Sequence, residues 1–138
     1  MKKLRLTNAG TCEHTVWEGG GGKRVLVEGP DAWALVEPLK AAGYDVATCR
    51  GPSEAEQCSL LVSGTCSAAG EADAIVSGLL STDGIAIVRA LGEKYPNVPV
   101  VAEASPPLVG EYATAQRIVQ VPADNAAVLD ALAAVLAD

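Results

Sequence analysis

Four cysteines and one histidine are the residues of this 138-residue chain whose side chains are best suited to metal or redox chemistry. Thiolates and imidazoles bind zinc, and two neighbouring thiols can form a reversible disulfide. Cys58 and Cys66 flank a predicted turn, which can bring their sulfurs together. Cys12 and His14 alternate along a predicted strand, so they share one of its faces, and Cys49 ends another strand. These five residues define the first candidate site.

The spacing of the cysteines leaves their chemistry open. Structural zinc sites usually contain ligand pairs separated by two to four residues, and no such cysteine pair occurs here. We therefore interpret the cysteines mainly as small buried or half-buried thiols. Two alternatives are kept. One is a zinc site formed by the four thiolates of Cys12, Cys49, Cys58 and Cys66, or by three of them with the His14 imidazole, and the other is a reversible disulfide between Cys58 and Cys66. His14 is disfavoured as a catalytic base because no neighbouring residue orients it.

Short apolar runs alternate with helix-length segments from Lys23 onward. Such alternation is typical of right-handed βαβ units, so it predicts an α/β fold with a doubly wound, five-stranded parallel sheet. The predicted strands are residues 24–29, 45–49, 73–78, 98–104 and 118–122. The predicted helices are 31–42, capped by Asp31 and kinked at Pro38, one that begins at Asp83, a weaker one at 109–117, and a last one capped by Asp124. Only one short helix, at 53–61, is expected in the irregular segment 51–70.

The first 22 residues differ in pattern from the rest. Residues 4–7 and 14–17 are short alternating stretches, which predict an N-terminal hairpin or an extra strand. Four consecutive glycines at 19–22 follow, and they predict a flexible joint. We therefore expect an appendage, residues 1–22, tethered to one domain, residues 23–138, with Trp17 as the residue that would hold it there.

Composition excludes two classes of partner. The chain carries a formal charge of -7 and has a pI near 4.6, which argues against binding to nucleic acid or to anionic lipid. No apolar run approaches the roughly 20 residues that span a bilayer. The basic start at residues 2–5 is not followed by the apolar stretch of a secretory signal. A cytoplasmic location is the expectation.

Six short motifs occur in a characteristic order along the predicted strands and turns. They are VLVE at 25–28, LKAAGYDV at 39–46, ADAIV at 72–76, DGI at 83–85, VPVV at 98–101 and VP at 121–122. Through these motifs, residues 24–138 resemble the receiver domain of two-component response regulators. That resemblance implies a CheY-like, flavodoxin-like fold and a role in signal transduction.

The resemblance also locates the site that receivers use. In that family an Asp at the end of the third strand accepts a phosphoryl group, and it shares Mg²⁺ with two acids that follow the first strand. Metal and cationic groups offset the charge of the transferred group. In this sequence the acceptor position falls on Ser77 or Gly78, and the acidic pair becomes Glu28 and Gly29, with Asp31 two residues further on.

Two further positions of the receiver site are also altered. The hydroxyl position after the fourth strand falls on Ala104, next to Ser105, and the lysine position after the fifth strand falls on Val121. The resemblance therefore implies a degenerate receiver that is not phosphorylated on Asp, is not an enzyme and needs no cofactor. Two interpretations remain open for its vestigial pocket: ordinary loop polar residues and helix caps, or a site for a small polar ligand. The residues concerned are Glu28, Gly29, Asp31, Ser77, Gly78 and Ser105.

The resemblance further implies a protein partner or a homodimer. Receivers often associate through the face of their fourth helix, fifth strand and fifth helix, which here spans residues 109–137. Trp33 is interpreted as packing at the edge of the core, with an interface anchor as the alternative. The favoured function is a non-enzymatic regulatory or protein-interaction domain. The alternative is a cysteine-based redox-sensing or zinc-binding module on the same scaffold.

Overall fold

A computed structural model describes residues 16–49, 58–78, 82–105, 110, 112, 115–120 and 124–137. Its strands are β1 (Arg24–Glu28), β2 (Asp45–Cys49), β3 (Ala74–Ser77), β4 (Val100–Ala104) and β5 (Arg117–Gln120). A 3-10 helix (Ala32–Leu35) leads into α1 (Val36–Ala41), and the other helices are α2 (Ser59–Ser63), α3 (Ser67–Glu71), α4 (Thr82–Lys94) and α5 (Asn125–Leu136).

The five strands form one parallel sheet in the order β2-β1-β3-β4-β5. This order confirms the predicted doubly wound, CheY-like and flavodoxin-like fold. The register places Glu28 of β1 beside Ser77 of β3, and Ser77 beside Ala102 of β4. Since the strands are parallel, their carboxyl ends meet at one edge of the sheet, which is where folds of this kind bind ligands.

Successive strand residues point to opposite faces of the sheet, so both faces carry apolar side chains. Both faces are covered, as is usual for parallel sheets. The α4 face carries Leu26 and Ile75, which belong to one buried cluster with Leu91 of α4. The α5 face carries Val27 and belongs to a second cluster that includes Leu132 of α5. Both clusters consist largely of aliphatic side chains.

The crossover from β2 to β3 departs from the prediction. A single short helix at 53–61 was expected, but α2 and α3 both lie in this crossover, while residues 50–57 fall outside the described part. Gly64, with φ of 82°, ends α2 in the left-handed conformation that glycine adopts without a steric penalty. Helices of five residues are too short to show a clear apolar period, so the sequence pattern does not reveal them.

The first helix is also different from its prediction. Asp31 occupies the N-cap position, but its side chain makes no capping hydrogen bond there. The chain forms a 3-10 turn before it becomes α-helical at Val36, and Pro38 then falls in the first turn of α1, where proline is best tolerated. Trp33, on the 3-10 turn, is 72% exposed. The interpretation of Trp33 as a residue packed at the edge of the core is therefore wrong.

The predicted helix at 109–117 does not extend to its expected end. Gly110 and Tyr112 have 3-10 geometry, Ala115 is outside any helix, and Arg117 already begins β5. Gln116 fixes this start, because its backbone N–H donates to the Val100 carbonyl (3.0 Å) and its Oε1 accepts from the Val100 N–H (2.7 Å). The predicted α5 is confirmed, and Asp124 caps it by accepting a hydrogen bond from the Ala127 N–H at 3.0 Å.

Residues 16–18, which we call the strap, lie against the outer side of β2 and are followed by the glycines 19–22. Glu18 forms an antiparallel bridge with Val46, and Asp45 accepts hydrogen bonds from the Gly21 and Gly22 N–H groups. The glycine run is thus an ordered turn here rather than a free joint. Residues 4–15 of the predicted hairpin or extra strand, including Cys12 and His14, lie outside the described residues, and the division at residue 22 stays a prediction. Among the described helices, none is long and apolar enough to cross a bilayer.

Candidate functional site

The carboxyl ends of β1 and β3 place two polar side chains next to each other on the α4 face. Glu28 and Ser77 are partners in the parallel register, and both are buried, with Ser77 fully inaccessible to solvent. The Ser77 hydroxyl has no hydrogen-bond partner among the described residues. Burying a hydroxyl in this way costs stability. The Ser77 side chain is therefore buried on the α4 face and is not accessible from solvent.

The opposite face of the same edge is built by Gly78 and Glu103. The Gly78 N–H donates to the Glu28 carbonyl at 2.7 Å, which continues the ladder between β1 and β3 by one residue. A Cβ added to Gly78 would stand 2.6 Å from Oε1 of Glu103. The Glu103 carboxylate therefore fills the space into which a side chain at position 78 would project.

Glu103 is half-buried and lies close enough to Asp31 to feel its charge. Burial raises the pKa of Glu103 above its usual value of 4.5, and repulsion from the Asp31 carboxylate raises it further. The two acids therefore concentrate negative charge at the carboxyl end of β4, beside the loop that follows β1.

Glu103 is the main site residue that sequence reasoning missed. The motif-based alignment puts the hydroxyl position on Ala104, but Ala104 is completely buried, on the α4 face. Ser77 pairs with Ala102, so Gly78 is level with Glu103, and Ser105 lies two residues further along. A signal for Glu103 was present in the sequence, because it is the one charged residue in the apolar run 98–104.

Gly29 shapes the loop that carries Asp31. Its φ of 140° lies in a region that L side chains rarely adopt, and an added Cβ would stand 3.1 Å from the Gly78 carbonyl oxygen. The Gly29 N–H donates to the Cys49 carbonyl at 2.8 Å. The structure thus brings Glu28, Gly29 and Gly78 together and leaves Asp31 exposed above them.

The described cysteines all belong to the α4 face. Cys66 is buried in the cluster of that face, and the half-buried Cys49 and Cys58 pack against it. Within the described part of the chain, no group of three or more His, Cys, Asp or Glu side chains is arranged to hold a metal ion. Cys12 and His14 lie outside that part, so a zinc site that includes them stays a prediction.

No protein-family model matches the sequence, and no curated protein sequence matches it either. Solved structures do match. A pilus assembly-related protein from Burkholderia pseudomallei is 20% identical with a TM-score of 0.63, and the match covers 85% of this chain and 91% of that one. The signal receiver domain of an HD domain-containing protein from Pseudomonas fluorescens is 20% identical with a TM-score of 0.61, covering 83% and 94%.

A response regulator protein from Thermotoga maritima, solved in complex with Mg²⁺-BeF, is 19% identical with a TM-score of 0.61, and the match covers 83% of this chain and 98% of that one. At these identities the likeness concerns the fold. The chain has the fold of response regulator receiver domains, and the resemblance noted from its motifs is confirmed at that level.

Proposed function

We propose that this chain is a receiver-fold regulatory domain that acts through contacts with other proteins and is not phosphorylated on aspartate. The observation that carries this proposal is the end of β3, where the acceptor position falls on Ser77 or Gly78. Neither residue offers a carboxylate, and the space above Gly78 is filled by Glu103.

The chemistry of aspartyl phosphorylation supports the same conclusion. Transfer of a phosphoryl group needs a nucleophile and positive charge that offsets the charge of the transferred oxygens. Gly78 has no nucleophile, and the Ser77 hydroxyl is buried on the other face of the sheet. Glu103 and Asp31 add negative charge at this edge, which opposes the approach of a phosphoryl group.

The proposal is tested with acetyl phosphate and with beryllofluoride, each in the presence of Mg²⁺. Intact mass spectrometry and amide NMR of the full chain are expected to show no stoichiometric adduct and no widespread shifts. A stoichiometric aspartyl adduct would overturn the proposal, as would chemical shift changes across the sheet on addition of beryllofluoride.

A gain-of-function variant provides the matched control. Gly78→Asp combined with Glu103→Thr restores an acceptor carboxylate and removes the side chain that blocks it. We expect this double variant to bind beryllofluoride with Mg²⁺ more readily than Gly78→Asp alone, because Glu103 still fills the space in the single variant. If the wild-type chain responds as strongly as the double variant, the acceptor is another residue and the proposal fails.

We further propose a protein partner or a homodimer at the β5 and α5 end of the sheet, within residues 109–137, together with a cytoplasmic location and no enzymatic activity. β5 is an edge strand, and Arg117 and Gln120 on it are exposed. Gly110 and Tyr112, which belong to the same range, have 3-10 geometry. Substitution of Arg117 and Gln120 by Glu is expected to weaken capture of a partner without lowering thermal stability.

The cysteine-based module is retained as a second candidate because Cys49, Cys58 and Cys66 share one face of the sheet. A zinc site or a Cys58–Cys66 disulfide would have to form on that face. Zinc content of freshly purified protein and thiol titration before and after mild oxidation decide this point. Four titrating thiols, no bound zinc and no change on oxidation would eliminate the second candidate.

A further inference from the structure

The outer edge of β2 is an edge of the sheet at which the backbone groups of β2 face away from β1. In a parallel strand, the backbone groups of alternate residues bond to opposite sides, so the N–H and C=O groups of Val46 and Thr48 point away from β1. Glu18 of the strap donates its N–H to the Val46 carbonyl at 2.9 Å and accepts from the Val46 N–H at 2.8 Å. The pairing is antiparallel, so Val16 runs level with the exposed Thr48.

The side chains of Trp17 and Glu18 add further contacts to this backbone pairing. The Trp17 indole Nε1 donates to Glu71 Oε1 at 2.8 Å, and the Arg24 guanidinium lies 5.3 Å from the centre of the Trp17 ring. Lys40 Nζ is 3.8 Å from Glu18 Oε1. Trp17 also packs against the cluster of the α4 face. The strap thus holds the β2 edge through one backbone bridge and through the side chains of Trp17 and Glu18.

The four glycines 19–22 and Lys23 join the strap to β1. Asp45 Oδ1 accepts hydrogen bonds from the Gly21 N–H (2.9 Å) and the Gly22 N–H (3.2 Å), which keep the turn closed around the start of β2. A Cβ on Gly22 would collide with the Gly43 carbonyl oxygen, so the turn passes directly over the backbone. Four glycines lose much conformational freedom when they are ordered, and this cost favours release of the strap.

We propose that the outer edge of β2 is an interaction surface whose partner is the strap of a second copy of this chain. Two chains exchange residues 16–18, and the conformation described above is the closed monomer. The exchanged form repeats the same backbone bridge, the same Trp17 contacts with Glu71 and Arg24, and the same ion pair, and it relieves the tight glycine turn. Exchange of identical elements is an inexpensive route to dimers for this reason.

This proposal is independent of the proposed function. It concerns the β2 edge, and neither the candidate site around Gly78 and Glu103 nor the β5 and α5 face. An unpaired edge strand also needs a cover, since its free backbone groups pair with other chains. The strap of a second copy fits this edge better than an unrelated strand does, because its register and its side-chain contacts are already those of the closed monomer.

Deletion of Gly20 and Gly21 in the full chain tests the proposal. After the deletion only three peptide steps join Glu18 to Lys23, and they span about 11 Å at most. Glu18 and Lys23 lie on opposite sides of β2, so they are two strand spacings apart across the sheet and two residues apart along it. This separation is roughly 12 Å in a straight line, and a path around the start of β2 is longer. The shortened connection therefore falls short of its own β2 edge, whereas in the proposed exchanged dimer its span is not fixed by the position of its own β2.

The deletion is made in a Trp33→Phe background, so that Trp17 is the sole source of tryptophan fluorescence. We expect light scattering to show a dimer at concentrations at which the undeleted chain is mainly a monomer, with Trp17 emission unchanged. The undeleted chain is expected to form more dimer as its concentration rises. A deleted chain that stays monomeric would overturn the proposal, whether its Trp17 emission is red-shifted or unchanged.

Glu18→Pro added to the deletion is the matched control, because proline removes the N–H that donates to the Val46 carbonyl. The expected result is a monomer with solvent-exposed Trp17 and an unchanged far-UV circular dichroism spectrum. A dimer that survives Glu18→Pro forms through another surface and also contradicts the proposal. Neither outcome bears on aspartyl phosphorylation, so failure here is distinguishable from failure of the proposed function.

Discussion

The Glu103 carboxylate lies over the α-carbon of Gly78, at the place where an acceptor side chain would leave the end of β3. Its Oε1 is 2.6 Å from the position of a Cβ at residue 78. The two residues are therefore coupled: a side chain at 78 requires that Glu103 move, and a smaller residue at 103 reopens the space.

This coupling predicts a non-additive pair of substitutions. Gly78→Ala alone is expected to lower the free energy of unfolding by about 1 kcal/mol, because the new methyl group displaces the Glu103 carboxylate. In a Glu103→Ala background the same substitution is expected to be neutral or to stabilise by roughly 0.5 kcal/mol, since alanine restricts the unfolded chain more than glycine does. Urea unfolding of the four proteins measures the coupling. Equal effects of Gly78→Ala in both backgrounds would contradict the contact.

Glu103 also predicts a dependence of stability on pH. Its pKa is raised in the folded state, so the folded protein binds the Glu103 proton more tightly than the unfolded chain does. The contribution of Glu103 to stability is therefore largest below the unfolded value near 4.5 and is lost as the pH rises through the folded pKa. Between these two pKa values, the free energy of unfolding of Glu103→Gln should rise relative to that of the wild type as the pH rises. Urea unfolding curves at several pH values measure this difference.

The neighbour that contributes to the shift provides the control. Asp31→Asn removes a negative charge beside Glu103, so the pKa of Glu103 should move down toward its usual value, as measured by carboxyl ¹³C NMR titration. An unchanged Glu103 titration in Asp31→Asn would show that burial alone causes the shift.

The strands and their order could be predicted from the sequence, whereas Glu103 and Trp33 could not be placed by the same reasoning. Buried parallel strands appear as continuous apolar runs, so β1, β3 and β4 are distinct in the sequence. The face to which Glu103 points depends on the register of β4 against β3, and the motifs do not fix that register to a single residue. The 3-10 turn that carries Trp33 is not visible in the sequence pattern, and this turn presents Trp33 to solvent.

Ser77 gives a prediction about the core of the candidate site. Its hydroxyl is fully buried and has no hydrogen-bond partner in the described part of the chain. Ser77→Ala should therefore raise the free energy of unfolding by about 1 kcal/mol, because it removes a polar group whose burial is not compensated. Ser77→Val is the control for size, and overpacking should lower stability by roughly 1 to 3 kcal/mol. A loss of stability in Ser77→Ala would mean that the hydroxyl makes a hydrogen bond in solution.

The two aspartates at helix starts make a matched pair with opposite expectations. Asp124 accepts a hydrogen bond from the Ala127 N–H at 3.0 Å, whereas Asp31 makes no capping bond and stands near the Glu103 carboxylate. Asp124→Ala should therefore lower the free energy of unfolding by about 1 kcal/mol, the usual cost of a lost N-cap. Asp31→Ala should leave stability at neutral pH unchanged or slightly higher, because it removes repulsion and no cap. Thermal unfolding of the two variants at pH 7 compares them directly, and an equal loss in both would show that Asp31 caps its helix after all.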